Sequence, residues 1–131
     1  MLKPDFDKQG VIPAIAQDYE TGEILMLAYM NEESFELTVQ SGIVHYFSRS
    51  RNKIWKKGET SGNLQELKEM RLDCDADTLL LKVNQIGAAC HEGYRSCFFR
   101  VLENGDFKVD KNRIMEPSDI YENKNGEKER A

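Results

Sequence analysis

The chain has 131 residues, 40% hydrophobic and 31% charged, a globular mixture with room for one domain. No window approaches the roughly 18 uninterrupted apolar residues of a membrane span, and the opening MLKPDFDKQG lacks the apolar core of a secretory signal. A formal net charge of -5 argues against a surface built throughout for nucleic acid, and an odd count of 3 cysteines argues against a disulfide framework. The expectation is a soluble cytoplasmic protein with one domain over residues 1–110 and a charged extension over 111–131.

Residues 15–18 and 24–29 flank Thr21-Gly22 and read as a hairpin. Asn31 before Glu32 and Glu33 reads as a helix start, a capping side chain followed by acids at the positive end of the dipole. Phe35 and Val39 share a face of that helix, and Gly42 stands where a C-terminal cap belongs. Residues 43–47 follow as a strand. Residues 65–72 fit two periods: Leu64, Leu67 and Met70 suit a helix, while Met70, Leu72 and Cys74 alternate as in a strand. We read a strand, because residues 78–83 follow after a tight polar turn and can pair with it. Residues 98–102 and 107–109 flank Asn104-Gly105, where both central residues tolerate φ > 0, and form a second hairpin. From residue 116 onward there are 8 charges and almost nothing apolar, which reads as a solvated, frayed tail. The sum is mostly β (α+β), antiparallel, with one clear helix.

Three features carry chemistry. Arg49, Arg51, Lys53, Lys56 and Lys57 reverse the local sign of an acidic chain and lead into Gly58-Glu-Thr-Ser-Gly-Asn63. Glycines let backbone N–H groups approach an anion and hydroxyls add donors, so this loop suits a phosphate. A solvated basic strand feeding an ordinary turn fits the same residues. Asp73, Asp75 and Asp77 alternate along a stretch that reads as a turn, where their repulsion is relieved by a cation such as Mg²⁺ or Ca²⁺, or by water if the turn is merely exposed. Cys74, Cys90 and Cys97 lack any CxxC pair, which excludes a zinc finger. Three thiolates can still hold Zn²⁺ and leave a position open for water; the alternative is three small buried apolar side chains. His45, inside an apolar strand, reads as a packed residue, and Trp55 suits either stacking on a base or packing under the basic loop.

In combination the order of these features is specific. Ser48-Arg-Ser-Arg51, Trp55-x-Lys-Gly-Glu-Thr-Ser-Gly-Asn-x-Gln65, Asp73-Cys-Asp-x-Asp77 and Ala89-Cys-His-x-Gly-x-x-Ser-Cys-Phe98 together resemble the phosphoribosyl-AMP cyclohydrolases of histidine biosynthesis. The likeness runs from about residue 15 to 102 and includes Met30-Asn-Glu-Glu33. Lys56 stands where the family often has His, and Glu92 where Thr is more usual.

The resemblance implies hydrolytic opening of the adenine ring at the N1–C6 bond, without release of ammonia, in a chain lacking a fused pyrophosphohydrolase domain. It implies a β-rich pseudobarrel with one or two helices, in an intertwined homodimer whose zinc site is shared between subunits. Cys74, Cys90 and Cys97 match the zinc ligands, and Asp73, Asp75 and Asp77 match the carboxylates for Mg²⁺. Arg49, Arg51, Trp55, Lys57, Gly58, Thr60 and Ser61 match the substrate loop, and His91 is the expected base, because a tris-thiolate zinc is a weak acid. Two other readings of the residues are a zinc-dependent purine deaminase, whose H-x-E…P-C-x-x-C signature is missing, and a small zinc-stabilised module binding single strands through residues 49–57. The carboxylates and net charge weigh against the second.

Overall fold

The computed structural model describes residues 2–7 and 9–121. In chain order these form β1 (Ile12–Asp18), β2 (Ile24–Met30), α1 (Glu32–Ser41), β3 (His45–Ser48), β4 (Lys53–Lys56), β5 (Gln65–Leu72), β6 (Leu79–Gln85), β7 (Arg100–Glu103), β8 (Asp106–Val109) and α2 (Pro117–Tyr121). The fold is α+β and mostly β, as the turn signals predict. Both hairpins form, β1 with β2 and β7 with β8, and β5 pairs antiparallel with β6.

One pairing departs from the antiparallel expectation. The main sheet has the order β2-β1-β6-β5, and β1 and β6 run parallel, Ala14 opposite Leu79 and Asp18 opposite Val83. Such a pair requires a crossover connection, here supplied by everything from β2 to β5, and no local turn signal encodes it. Alternate residues of the two central strands face one core: Ile12, Ala14 and Ala16 from β1, Leu79, Leu81 and Val83 from β6. Leu25, Met26, Met30, Val44 and Tyr46 complete it.

The sheet curls without closing into a barrel within the described residues. At one edge the lead into β3 meets β5 through an Ile43–Glu66 bridge, and the Val44 N–H donates to the Gln65 carbonyl at 3.0 Å. At the other edge β3 packs against β2. The β3–β4 ribbon therefore spans the open side of the sheet and carries the basic run on it.

Helix α1 begins and ends where its caps predict. Asn31 Oδ1 accepts the Ser34 N–H at 2.8 Å, the Ser34 hydroxyl oxygen accepts the Asn31 N–H at 2.9 Å, and Gly42 closes the helix at φ 75°. Its inward face differs from the expected Phe35–Val39 stripe. Ser34 and Thr38 are fully buried and Val39 is exposed. The hydroxyls are tolerated there because each is bonded: Thr38 Oγ1 donates to the Ser34 carbonyl at 2.8 Å and accepts the His45 N–H at 2.9 Å. His45 is the packed strand residue expected, its Nδ1 lying 2.8 Å from the Ile43 carbonyl.

The first residues of the stretch expected to be a frayed tail are instead ordered. Residues 117–121 form α2, whose Ile120 is buried, and the rest of the tail lies outside the described residues.

Candidate active site

The irregular segment between β6 and β7 holds two of the three cysteines. A tight turn surrounds Cys90: its N–H donates to the Tyr94 carbonyl, and the Gly93 N–H returns to the Cys90 carbonyl, both at 3.1 Å. Further along, the Cys97 N–H donates to the Leu25 carbonyl at 2.7 Å and the Ser96 hydroxyl to the Ile24 carbonyl at 2.7 Å, stitching the segment to β2. Arg95 pairs with the buried Asp18 carboxylate of β1, holding the segment from below.

Cys90 and Cys97 meet in a small apolar cluster with Tyr94 and Phe99, whose rings stack at 3.8 Å. The Cys97 thiol donates to the Cys90 sulfur, which brings Cys90 down to about 6 against the opposing effect of burial, with the Glu92 N–H assisting. The same bond and the same burial push Cys97 up. The pair thus readily holds one proton between two sulfurs, the state from which a soft cation displaces it.

Lys57 stands over this pair. Although a lysine, it is buried, and its Nζ donates to the carbonyl of Ala89, the residue before Cys90, at 2.7 Å. The turn from Lys57 to Asn63 is built on glycine. Gly58 has φ +85°, and a Cβ there would fall 2.5 Å from the backbone of Asn63 and Leu64. A buried amide chain supports the turn from beneath. The Tyr46 hydroxyl donates to Gln65 at 2.7 Å, Gln65 to Gln85 at 2.8 Å, and Gln85 to the Asn63 carbonyl at 3.3 Å.

Lys57, Ser61, Asn63, Cys90, His91 and Ile120 line a cavity of about 10 Å³, space for about one water. The structure therefore joins Lys57, Gly58, Ser61, Cys90, His91 and Cys97 in one place, with Thr60 half-buried in the same turn.

The remaining residues gather elsewhere. Arg49 and Trp55, with Leu27, Tyr29, Phe47, Ser48 and Ser50, line an open cleft of about 670 Å³. Its cation is held by an aromatic face, the Arg49 guanidinium lying 3.8 Å from the centre of the Tyr29 ring. Arg51 is exposed in the β3–β4 turn. Trp55 links the two regions, its ring 5.1 Å from Tyr46 and 5.8 Å from the Lys57 ammonium.

Asp73, Asp75 and Asp77 each offer an oxygen within 4.8 Å of the others, in the exposed turn between β5 and β6. Burial raises the Asp73 carboxyl, but the bonds from Asp77 and Thr78 together outweigh it and hold the group below its ordinary value. Cys74 is exposed in this turn. The turn precedes β6 and the Cys90 segment follows it, so in chain order the whole of β6 stands between Cys74 and Cys90. Within the described residues of one chain, the three cysteines do not form a cluster.

Three neighbours of these sites had no signal in the sequence. Tyr29 sits in an apolar strand, Met115, whose sulfur accepts from Asn63 Nδ2, lies beyond the last hairpin, and Ile120 stands among charges. Each reaches its place through a contact distant in sequence, and spacing is blind to such contacts.

The family model for phosphoribosyl-AMP cyclohydrolase matches residues 26–99. The chain is 59% identical over 123 residues to a phosphoribosyl-AMP cyclohydrolase of Methanocella arvoryzae, covering 94% of this chain and 100% of that one. It is 59% identical over 124 residues to that of Desulforapulum autotrophicum, covering 92% and 99%. The corresponding protein of Nitratidesulfovibrio vulgaris is 54% identical over 120 residues, covering 90% and 95%.

Proposed function

Given that the chain belongs to the phosphoribosyl-AMP cyclohydrolase family, we propose that it hydrolyses the N1–C6 bond of the adenine ring in phosphoribosyl-AMP. The product is the formimino-carboxamide ribotide, in the cytoplasmic route to histidine. One observation supports the chemistry most: Cys90 and Cys97 lie in one cluster, with Lys57 bonded to the residue before Cys90 and His91 on the same small cavity.

Water contributes its oxygen to C6 as the C6–N1 bond breaks. The exocyclic nitrogen stays on that carbon as the carboxamide, and N1 leaves with a proton while keeping its ribosyl phosphate. His91 takes the proton from the attacking water and returns one to N1. Lys57, Thr60, Ser61 and the backbone around Gly58 bind one phosphate. Arg49 and Arg51 bind the other, and Trp55 lies along the purine.

The donor set fits zinc. Cys90 and Cys97 are adjacent soft donors that would hold the ion, and a third thiolate would come from Cys74 of the partner subunit, since a chain's own Cys74 is not part of their cluster. When bound, zinc supplies a Lewis acid that lowers the pKa of water. Asp73, Asp75 and Asp77 would hold Mg²⁺, which would supply positive charge against substrate phosphate. The protein acts as a homodimer, each site assembled from two copies.

The test is turnover of phosphoribosyl-AMP followed in the ultraviolet, with ammonia assayed in the same sample, before and after chelation and zinc restoration. Ring opening without ammonia, lost on chelation and recovered with zinc, is the expected result. Release of ammonia would replace this reading with a deaminase, and no spectral change in zinc-replete protein would overturn both.

A further inference from the structure

Beyond β8 the chain returns across the segment that carries Cys90 and His91. The N–H groups of Ile114 and Met115 both reach the Gly93 carbonyl, at 2.8 and 3.2 Å. Arg113 Nε donates to the Glu92 carbonyl at 2.8 Å, and its guanidinium lies 5.3 Å from the centre of the Tyr94 ring. The Met115 sulfur accepts from Asn63 Nδ2 at 3.5 Å, reaching the Lys57–Asn63 turn on the other side. The crossing is close enough to dictate sequence: a Cβ on Gly93 would fall 2.1 Å from the Met115 carbonyl oxygen.

The segment then turns into α2 and inserts Ile120, 3% exposed, as one wall of the cavity shared by Lys57, Ser61, Cys90 and His91. An isolated isoleucine in a charged stretch is buried against the residues that the proposed reaction uses. The segment it presses on has no regular secondary structure, so its position depends on such contacts rather than on a hydrogen-bonded ladder.

We propose that residues 113–120 are a strap belonging to the active site, and that Ile120 is a positioning residue. It holds the Cys90–His91 turn in register with Lys57 and Ser61 and closes the inner side of that turn to water. Its effect on turnover rests on the cyclohydrolase reading; its effect on the accessibility of Cys90 does not.

The experiment compares the full chain with Ile120→Ala, Ile120→Val and, as a control on the exposed face of α1, Val39→Ala. Iodoacetamide labelling of Cys90 in chelator-treated protein is read by peptide mass mapping, and kcat and KM are measured on zinc-loaded protein. Ile120→Ala is expected to label at Cys90 about tenfold faster, with kcat about tenfold lower and KM within about twofold. Ile120→Val recovers most of both, and Val39→Ala changes neither. Unchanged labelling overturns the strap, and faster labelling with unchanged kcat overturns the positioning role. If Ile120→Ala does not fold, Met115→Ala carries the same readouts. Faster labelling in a protein whose parent shows no cyclohydrolase turnover would sustain the strap and remove the reading it rests on.

Discussion

The Lys57 ammonium donates to the Ala89 carbonyl at 2.7 Å, joining the end of the basic ribbon to the residue before Cys90. Lys57 is buried, and its side chain acts on the thiol pair, pulling Cys97 down against the stronger effects of the Cys90 bond and burial that push it up. Lys57→Met preserves much of the length and removes both charge and donor. We expect a loss of about 1–3 kcal/mol, because the Ala89 carbonyl is left short of its partner, together with weaker zinc retention. Urea unfolding of metal-free protein measures the first, and zinc release to a competing chelator the second. Unchanged values in both would make Lys57 a bystander.

What the sequence revealed of this arrangement follows from how local each signal is. Asn31, Gly42 and Asn104-Gly105 specify caps and turns within a few residues, and each is found where its chemistry predicts. The order of the motifs around Gly58, Asp73 and Cys90 led to the family. The parallel pairing of β1 with β6, the inward hydroxyls of Ser34 and Thr38, and the burial of Ile120 were not legible. Each depends on a partner supplied by the folded whole, and a periodicity argument prices Ser and Thr as outward residues.

The pair between Arg95 and Asp18 makes stability depend on acid. Burial raises the Asp18 carboxyl, but the N–H groups of Thr21 and Glu20 and the Arg95 guanidinium outweigh it, leaving the group below its ordinary value of 3.8. A depressed folded value means that the stabilisation is complete above 3.8 and is lost as pH falls through the lower folded value. Asp18→Asn should therefore cost about 1–2 kcal/mol at pH 7, a figure reduced by the partial exposure of Arg95, and progressively less as the pH drops below 3.8. Denaturant unfolding at pH 7 and pH 3 tests this. A difference between the two proteins that grows in acid would contradict the sign.

Cys90 and His91 are neighbours in sequence to which the proposed reaction gives separable roles. Cys90→Ala should lose both bound zinc and turnover. His91→Ala should retain zinc and lose turnover by about 10²–10⁴-fold, the range expected for removing a general base. Metal analysis of the two purified variants beside their kcat values distinguishes them. A zinc-free His91→Ala protein would assign that histidine to the metal site instead.

Because Cys74 lies outside the cluster that Cys90 and Cys97 form in one chain, the most direct test asks whether a site is built from two chains. Cys74→Ala and Cys90→Ala proteins are each expected to be inactive. Unfolded together in equal amounts and refolded with zinc, they should regain about one quarter of the parent activity: half of the dimers are mixed, and each mixed dimer has one intact site of two. Recovery near that level establishes that the thiolates come from both subunits. Activity in either variant alone, or none after mixing although mixed dimers form, would contradict the shared site.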